Sequence, residues 1–316
     1  MYIDRLETYS ALEDALGGRV LTYITSDRPA FEISIDWEAI DPFIAQLEAI
    51  GPSETLALFL YTRGGDTSAA WNIISLLRLY CQKLIVVVPH RAHSAGTIIA
   101  IGADEILMTR QATLGPIDPH ETNPLVPKGD DGTPMAVSVE AVNGYIELAR
   151  SELGVKDGGL ILSELTERIH PLVLGQAYRS RMQARQLARK LLRYQIKEPG
   201  TIERASAFLA GGCGSHDYTI NRREAKEDLG LSVRYPEESL DRLIKALYND
   251  LMSELLGAPM KLTEREDVRS MKSGFLESLP GGSSYYSYDY LVVPKDGANP
   301  AQTKLMEKGW HNLPSL

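Results

Sequence analysis

Thr55-Leu56-Ala57-Leu58-Phe59-Leu60-Tyr61-Thr62-Arg63-Gly64-Gly65 is the stretch whose reading decides the fold. Its first seven residues are almost wholly apolar, as in a strand covered on both faces. It runs directly into a diglycine turn, a conformation that residues with side chains tolerate poorly. Downstream, Asp66–Tyr80 has helical spacing, with Ala70, Ile73, Ile74, Leu77 and Tyr80 on one side. Leu84–Val88 is a second buried strand, closed by Pro89; Ser94–Ala103 is a helix of small and aliphatic residues; Glu105–Met108 is a third short strand. Strand, helix, strand, helix, strand predicts right-handed βαβ units around a parallel sheet. Upstream, Ile40–Ile50 is helical and stops at Gly51-Pro52; what precedes it reads as a polar opening.

The middle of the chain changes character. Pro116–Pro134, rich in Pro, Gly and Asp, reads as a long loop or lid. Val139–Leu153, Leu160–Tyr194 (strained at Pro171 and Gly175) and Ile202–Leu209 read as helices without a strand to cover, hence an insertion projecting from the sheet. Leu240–Leu256 and Thr263–Leu276 are amphipathic and predict two further helices. The tail from Gly281, with Tyr285, Tyr286, Tyr288 and Tyr290, suits docking on a neighbour. The expected division is a first part of the core over 1–119, a loop and helical insertion over 120–212 for oligomerisation or as a lid, core completion over 213–260, and a C-terminal helix and Tyr-rich tail over 261–316.

Composition narrows the function. The chain has 316 residues, 44% hydrophobic and 24% charged, enough for a substantial core. A formal charge of -9 argues against a general polyanion binder, because phosphate backbones need clustered cations. Arg179, Arg181, Arg185, Arg189, Lys190 and Arg193 do form a basic helix face, read as solvated or as a subunit contact. Cys81 and Cys213 provide neither a disulfide framework nor a metal quartet. The opening lacks the plan of a signal peptide, and the apolar runs are too short to span a bilayer. The expectation is a cytoplasmic protein without an integral membrane segment.

The chemistry centres on Ala92-His93-Ser94-Ala95-Gly96-Thr97. Ser94 stands between a buried strand and a helix, where unpaired backbone N–H groups and the positive dipole end favour a developing oxyanion. Its plainer reading is a helix N-cap. Ala92 occupies the first glycine position of the Gly-x-Ser-x-Gly elbow, which argues against an α/β-hydrolase. The Gly64-Gly65 turn shifts the balance, since adjacent strand ends of a parallel sheet place their loops side by side. An N–H of Gly64 or Gly65 and the N–H of Ala95 would then face Ser94 as an oxyanion hole.

These segments resemble a known family. Leu58–Gly65 looks like the strand and glycine turn of Clp protease proteolytic subunits. His93–Ala100, Ala103–Ile106 and Leu114-Gly115-Pro116-Ile117-Asp118-Pro119 resemble the serine dehydrogenase proteinase family, relatives of signal peptide peptidase A. His216-Asp217-Tyr218-Thr219-Ile220, with Glu224-Ala225 and Leu229-Gly230-Leu231, is similar to that family's His-Asp-Tyr segment. The resemblance implies an α/β Clp–crotonase fold of parallel ββα units with a helical insertion, no cofactor or metal, and a serine endopeptidase acting through a Ser94 acyl-enzyme. It implies a peptide or protein substrate lying extended beside the glycine turn, and a homo-oligomer. There is no phosphate loop of the ATPase kind, so unfolding of substrates would need a separate ATPase or regulatory partner.

The general base stays open. His120 lies near the place of the catalytic histidine in Clp peptidases, while His216 belongs to the family's own motif. Asp217 keeps the Clp triad acid's spacing to Glu-Ala and would orient the base. Signal peptide peptidases use a Ser–Lys dyad, which makes Lys128 a third candidate. His90 and His93 read as scaffold, His170 and His311 as structural or solvated. Asp118, His120 and Glu121 match no established metal pattern. Two other functions remain: a crotonase-type acyl-CoA enzyme using the same oxyanion hole, and a non-catalytic, peptide-binding scaffold.

Overall fold

The computed structural model describes residues 1–117, 120–121, 125, 133, 137–257, 267–293 and 302–313. Helix α1 (Tyr2–Leu16) closes on Gly17 and leads into strand β1 (Arg19–Thr25). Next come α2 (Ile40–Ile50), β2 (Ser53–Tyr61) and α3 (Thr67–Leu79), whose start directly after the diglycine turn is fixed by the Asp66 carboxylate accepting the Ala69 N–H at 2.7 Å. The core continues with β3 (Cys81–Val88), β4 (Arg91–Ala92), α4 (Ala95–Ile101), β5 (Glu105–Met108) and β6 (Thr113–Leu114). A small hairpin, β7 (His120–Glu121) with β8 (Val137–Ser138), introduces α5 (Val139–Glu147), α6 (Gly158–Arg168), α7 (Pro171–Leu192) and α8 (Pro199–Ala207). Proline opens both α7 and α8, where its missing N–H has no helical partner to lose. The chain ends with β9 (Ile220–Asn221), α9 (Arg222–Glu227), β10 (Val233–Arg234), α10 (Glu238–Leu256), β11 (Asp267–Ser278), β12 (Gly282–Val293) and β13 (Gln302–Leu313).

Eight strands form one sheet in the order β10-β5-β3-β2-β1-β11-β12-β13. The first five are parallel to one another, and β11 to β13 add on antiparallel. Because successive side chains of a strand point to opposite faces, each apolar run feeds two cores. Leu56, Leu58 and Leu60 of β2 face the layer built by α2, α3, α4 and the end of α7; Ala57, Phe59 and Tyr61 face α1 and α10. A second sheet, in the order β4-β6-β9, sits at the carboxyl ends of the parallel strands.

Three expectations need correction. The polar opening contains α1 and β1: α1 buries Arg5, Tyr9 and Leu12, too few apolar positions to announce a helix. The expected helix over 263–276 is a strand from Asp267, with 261–266 outside the described residues. Pairing with β1 decides this, placing Phe275 in one core and Leu276 in the other, as only a strand can. The tyrosine-rich tail does not wait for a neighbour but supplies β12 and β13, where Tyr286 packs edge-on against Trp310 at 5.7 Å.

The helical insertion is only partly separate. Val173, Val142 and Ile169 make a small outlying cluster, whereas Ala184, Ala188, Leu191 and Leu192 of α7 enter the main core over α4. All seven residues of α4 are buried, so this helix needs such a roof. Gln195 fastens it, donating to the Ala100 carbonyl at 3.1 Å and accepting from the Ser232 N–H at 2.9 Å. The long loop after Pro116 falls mostly outside the described residues.

Candidate active site

Ser94 occupies the N-cap position of α4 but does not cap it. Its backbone sits at φ 50°, ψ −116°, and its side chain accepts no capping hydrogen bond. Among the described residues that are not glycine, Ser94 shares a positive φ with Ala30 alone. A residue with a Cβ held there is strained, at a cost of about 1–3 kcal/mol, and such strain concentrates at functional sites. The capping work is done elsewhere: the His93 carbonyl accepts the Gly96 N–H at 2.8 Å, and buried Thr97 donates to the Ala92 carbonyl at 2.7 Å while accepting from the Gly115 N–H at 3.0 Å.

The glycine turn lies against this serine. A Cβ added to Gly64 would stand 2.7 Å from Ser94 Cβ and 3.2 Å from its Oγ, at a φ of 123°. Only glycine fits there. Gly96 is as tightly placed on the other side, where a Cβ would meet Thr62 Cγ2 at 2.4 Å. Thr62 is the joint between the two loops. Its N–H donates to the Arg91 carbonyl at 3.1 Å and its carbonyl accepts the His93 N–H at 3.2 Å. Its hydroxyl accepts from Thr25 Oγ1 at 2.8 Å and from the Gly64 N–H at 3.0 Å. The Gly64 N–H is therefore already used, whereas no described residue accepts the N–H of Gly65 or Ala95.

The histidines divide. Burial, reinforced by the charges of Arg91, His216, His90 and Arg63, lowers the pKa of His93 to about 4. The His93 ring is neutral near pH 7, and its Nε2 pairs with Thr113 Oγ1 at 2.8 Å. His90 is likewise pushed down, by burial first and then by Arg91, and its ring stacks on Tyr248 at 6.0 Å. Both belong to the scaffold around the serine, as the sequence suggested. His216 and Asp217 lie in a turn, not a strand. That turn leads into β9, which pairs with β6, which pairs with β4, the strand two residues before Ser94. Half-buried His216 is near enough for its charge to act on His93; Asp217 is exposed, its N–H donating to Ser215 Oγ at 3.2 Å. The backbone of His120 pairs with Ser138 in the β7–β8 hairpin. The His120 side chain, Asp118 and Lys128 lie outside the described residues.

One feature carried no signal in the sequence. At the end of β1, the Asp27 carboxylate accepts from Tyr61 Oη at 2.8 Å and pairs with Arg91 Nη1 at 3.2 Å and Arg63 Nε at 3.7 Å. Its three partners come from the end of β2, from the residue before the glycine turn and from β4. Ser26-Asp27-Arg28-Pro29 belongs to the stretch before Ile40 that reads only as a polar opening.

A parallel sheet with a strained serine and a glycine turn at adjacent strand ends defines an α/β protein of the Clp–crotonase fold. A family model described as ClpP-like SDH-type serine proteinase matches residues 45–255, well over half of the chain. The chain belongs to this family of serine proteinases. Two uncharacterized proteins of Methanocaldococcus jannaschii are similar to it: one is 30% identical over 64% of this chain and 62% of its own length, the other 29% identical over 56% and 51%. The chain thus spans less than two thirds of either relative. Among solved structures, a membrane-bound stomatin-specific protease in complex with a substrate peptide is 18% identical over 64% of this chain and 71% of its own, with a TM-score of 0.36. ClpP1 from Listeria monocytogenes is 13% identical over 75% and 98%, also with a TM-score of 0.36. Among the described residues, no helix is long and apolar enough to cross a membrane.

Proposed function

We propose that the protein is a serine endopeptidase whose nucleophile is Ser94. The observation that carries this reading is the positive φ of Ser94, which leaves its hydroxyl uncommitted to the helix cap and pressed against Gly64. In the proposed step, Oγ attacks the scissile carbonyl carbon while the base takes its proton. The tetrahedral intermediate then breaks its C–N bond, the amine leaves with that proton, and water later hydrolyses the ester. The N–H groups of Gly65 and Ala95 would hold the oxyanion, a choice supported by the use of the Gly64 N–H by Thr62. A substrate peptide would lie extended beside the turn.

His216 and His120 are the proposed bases. His216 is favoured by its place on the turn that leads into β9, the strand paired with β6. Asp217, on the same turn, would orient it; Lys128 is the third candidate. The assembled protein is proposed to be a homo-oligomer of the cytoplasm, served by a separate unfolding partner, and neither Cys81 nor Cys213 forms a disulfide.

A fluorophosphonate tests the nucleophile directly. The wild-type oligomer should be labelled at Ser94, and Ser94→Ala should lose both labelling and peptide turnover. Gly64→Ala should lower the labelling rate by about 100-fold, because its Cβ displaces the nucleophile. An unlabelled, folded wild type that binds acyl-CoA would sink the peptidase reading in favour of a crotonase-type enzyme. One that binds peptides without turning them over would leave a scaffold.

A further inference from the structure

We propose that Asp27 is a positioning residue for this reaction, setting the distance between the glycine turn and the nucleophile loop without touching the substrate. The inference rests on Ser94 being the nucleophile, and it adds a part that no active-site motif contains. An oxyanion hole split between two loops works only if both donors reach the same oxygen, about 2.7–3.1 Å from each. Here one donor would come from Gly65, after β2, and the other from Ala95, after β4. Among the described residues, two backbone bonds of Thr62 run between the loops, one to Arg91 and one to His93.

Asp27 adds the side-chain half of that joint. One carboxylate oxygen, Oδ2, is shared by Tyr61 Oη at 2.8 Å, Arg91 Nη1 at 3.2 Å and Arg63 Nε at 3.7 Å. Arg63 is bonded to Gly64, and Arg91 stands three residues before Ser94. The carboxylate is mostly buried, with its side chain 16% exposed, so its pair with the 25%-exposed Arg91 is less screened than a surface ion pair. The pair with Arg63, which is 63% exposed, contributes little. The same strand end works twice, because Thr25 two residues earlier fixes the Thr62 hydroxyl that in turn holds Gly64. Tyr61 is locked in place, its ring 5.4 Å from that of Tyr248 and with the Arg91 guanidinium 5.7 Å from its centroid. The end of β1 thus reaches both loops, through Thr25 and Asp27.

A merely structural ion pair would change stability and leave the chemistry alone; a positioning residue moves kcat. Asp27→Ala should lower kcat for peptide hydrolysis and the fluorophosphonate labelling rate together by about 10- to 100-fold, with KM changed less than threefold, since the loss is in alignment. Asp27→Asn retains an acceptor for Tyr61 but loses the ion pair with Arg91, and should keep kcat about 5- to 10-fold below wild type with KM unchanged. Arg91→Gln should cost about as much as Asp27→Asn, and the two together no more than either alone. Backbone amide exchange at 62–66 and 92–96 should rise in Asp27→Ala at a pH and temperature where it stays folded. If Asp27→Ala does not fold, the Asn and Gln variants carry the same comparison. A lowered melting temperature with unchanged kcat, or a loss confined to KM, overturns the proposal while wild-type labelling still upholds Ser94. An unlabelled wild type overturns both.

Discussion

At Ser94 two residue-scale facts meet: a backbone strained away from helix capping and a neighbour, Gly64, that cannot carry a Cβ. The strained backbone leaves the hydroxyl without a capping bond, and a side chain at position 64 would take the space beside it. His93 next to it is held neutral by burial and by surrounding cations, its pKa lowered from 6.5 to about 4. The sign of the pH dependence follows. Above pH 6.5 the imidazole is neutral in both states and its packing contributes fully. Between 6.5 and 4 the unfolded chain binds the proton and the folded chain does not, so stability falls as pH falls. Melting temperature should therefore drop across that window, and His93→Gln should flatten the slope; imidazole NMR should place the His93 midpoint near 4. A His93 titrating at 6.5 would contradict its desolvated setting.

At the scale of elements, the far face of the sheet is held by a charge cluster that joins α1, α10 and β11. Arg5, 2% exposed, donates bidentately to Glu277 at 2.7 and 3.0 Å and also reaches Asp250 and Glu254. Tyr9 Oη and Ser283 Oγ supply further bonds to Glu277, at 2.8 and 2.7 Å. Burial alone would raise the Glu254 pKa, but hydrogen bonds from Lys272 and Arg5 outweigh it and hold the carboxyl below its ordinary value. Arg5→Ala strands Glu277 in the core and should cost about 3–5 kcal/mol in chemical denaturation, as for other broken buried pairs. A loss below about 1 kcal/mol would mean that the cluster is solvated in solution. These partners are 245 to 272 residues from Arg5, which is why no local pattern revealed α1 as part of the core.

For the whole molecule, the tail is part of the sheet. β11 covers the β1 edge from Leu21 to Thr25, and β12 and β13 continue outward, with Trp310 reaching Tyr23 at 6.4 Å. Deleting residues 267–316 should uncover that edge and the cores around Phe275 and Leu276, leaving a protein that aggregates or loses cooperative unfolding. A truncated chain that stays monodisperse and melts like the full chain would restore the picture of a detachable tail.

How much was legible follows from the range of the forces involved. The βαβ core, the glycine turn and the serine at the head of a small-residue helix were readable because each is specified by neighbours along the chain: strand period, turn chemistry, capping position. The Tyr218 Oη bond to Glu224 at 2.7 Å shows the same locality in the His-Asp-Tyr segment. What the residues could not tell was decided by pairing across the fold. Thr263–Leu276 has a helical look, yet from Asp267 the chain is a strand because β1 offers an open edge and two cores at once. The basic helix turns inward at its end because α4 must be covered, and Arg185 and Arg189 spend their charge on Glu203 of α8. Asp27 acquires its three partners only when β1, β2 and β4 end side by side. Sequence alone determined the glycine turn and the serine at the head of its helix, since local sterics suffice for both; how the two lie against one another is tertiary, because it depends on groups that share no stretch of chain.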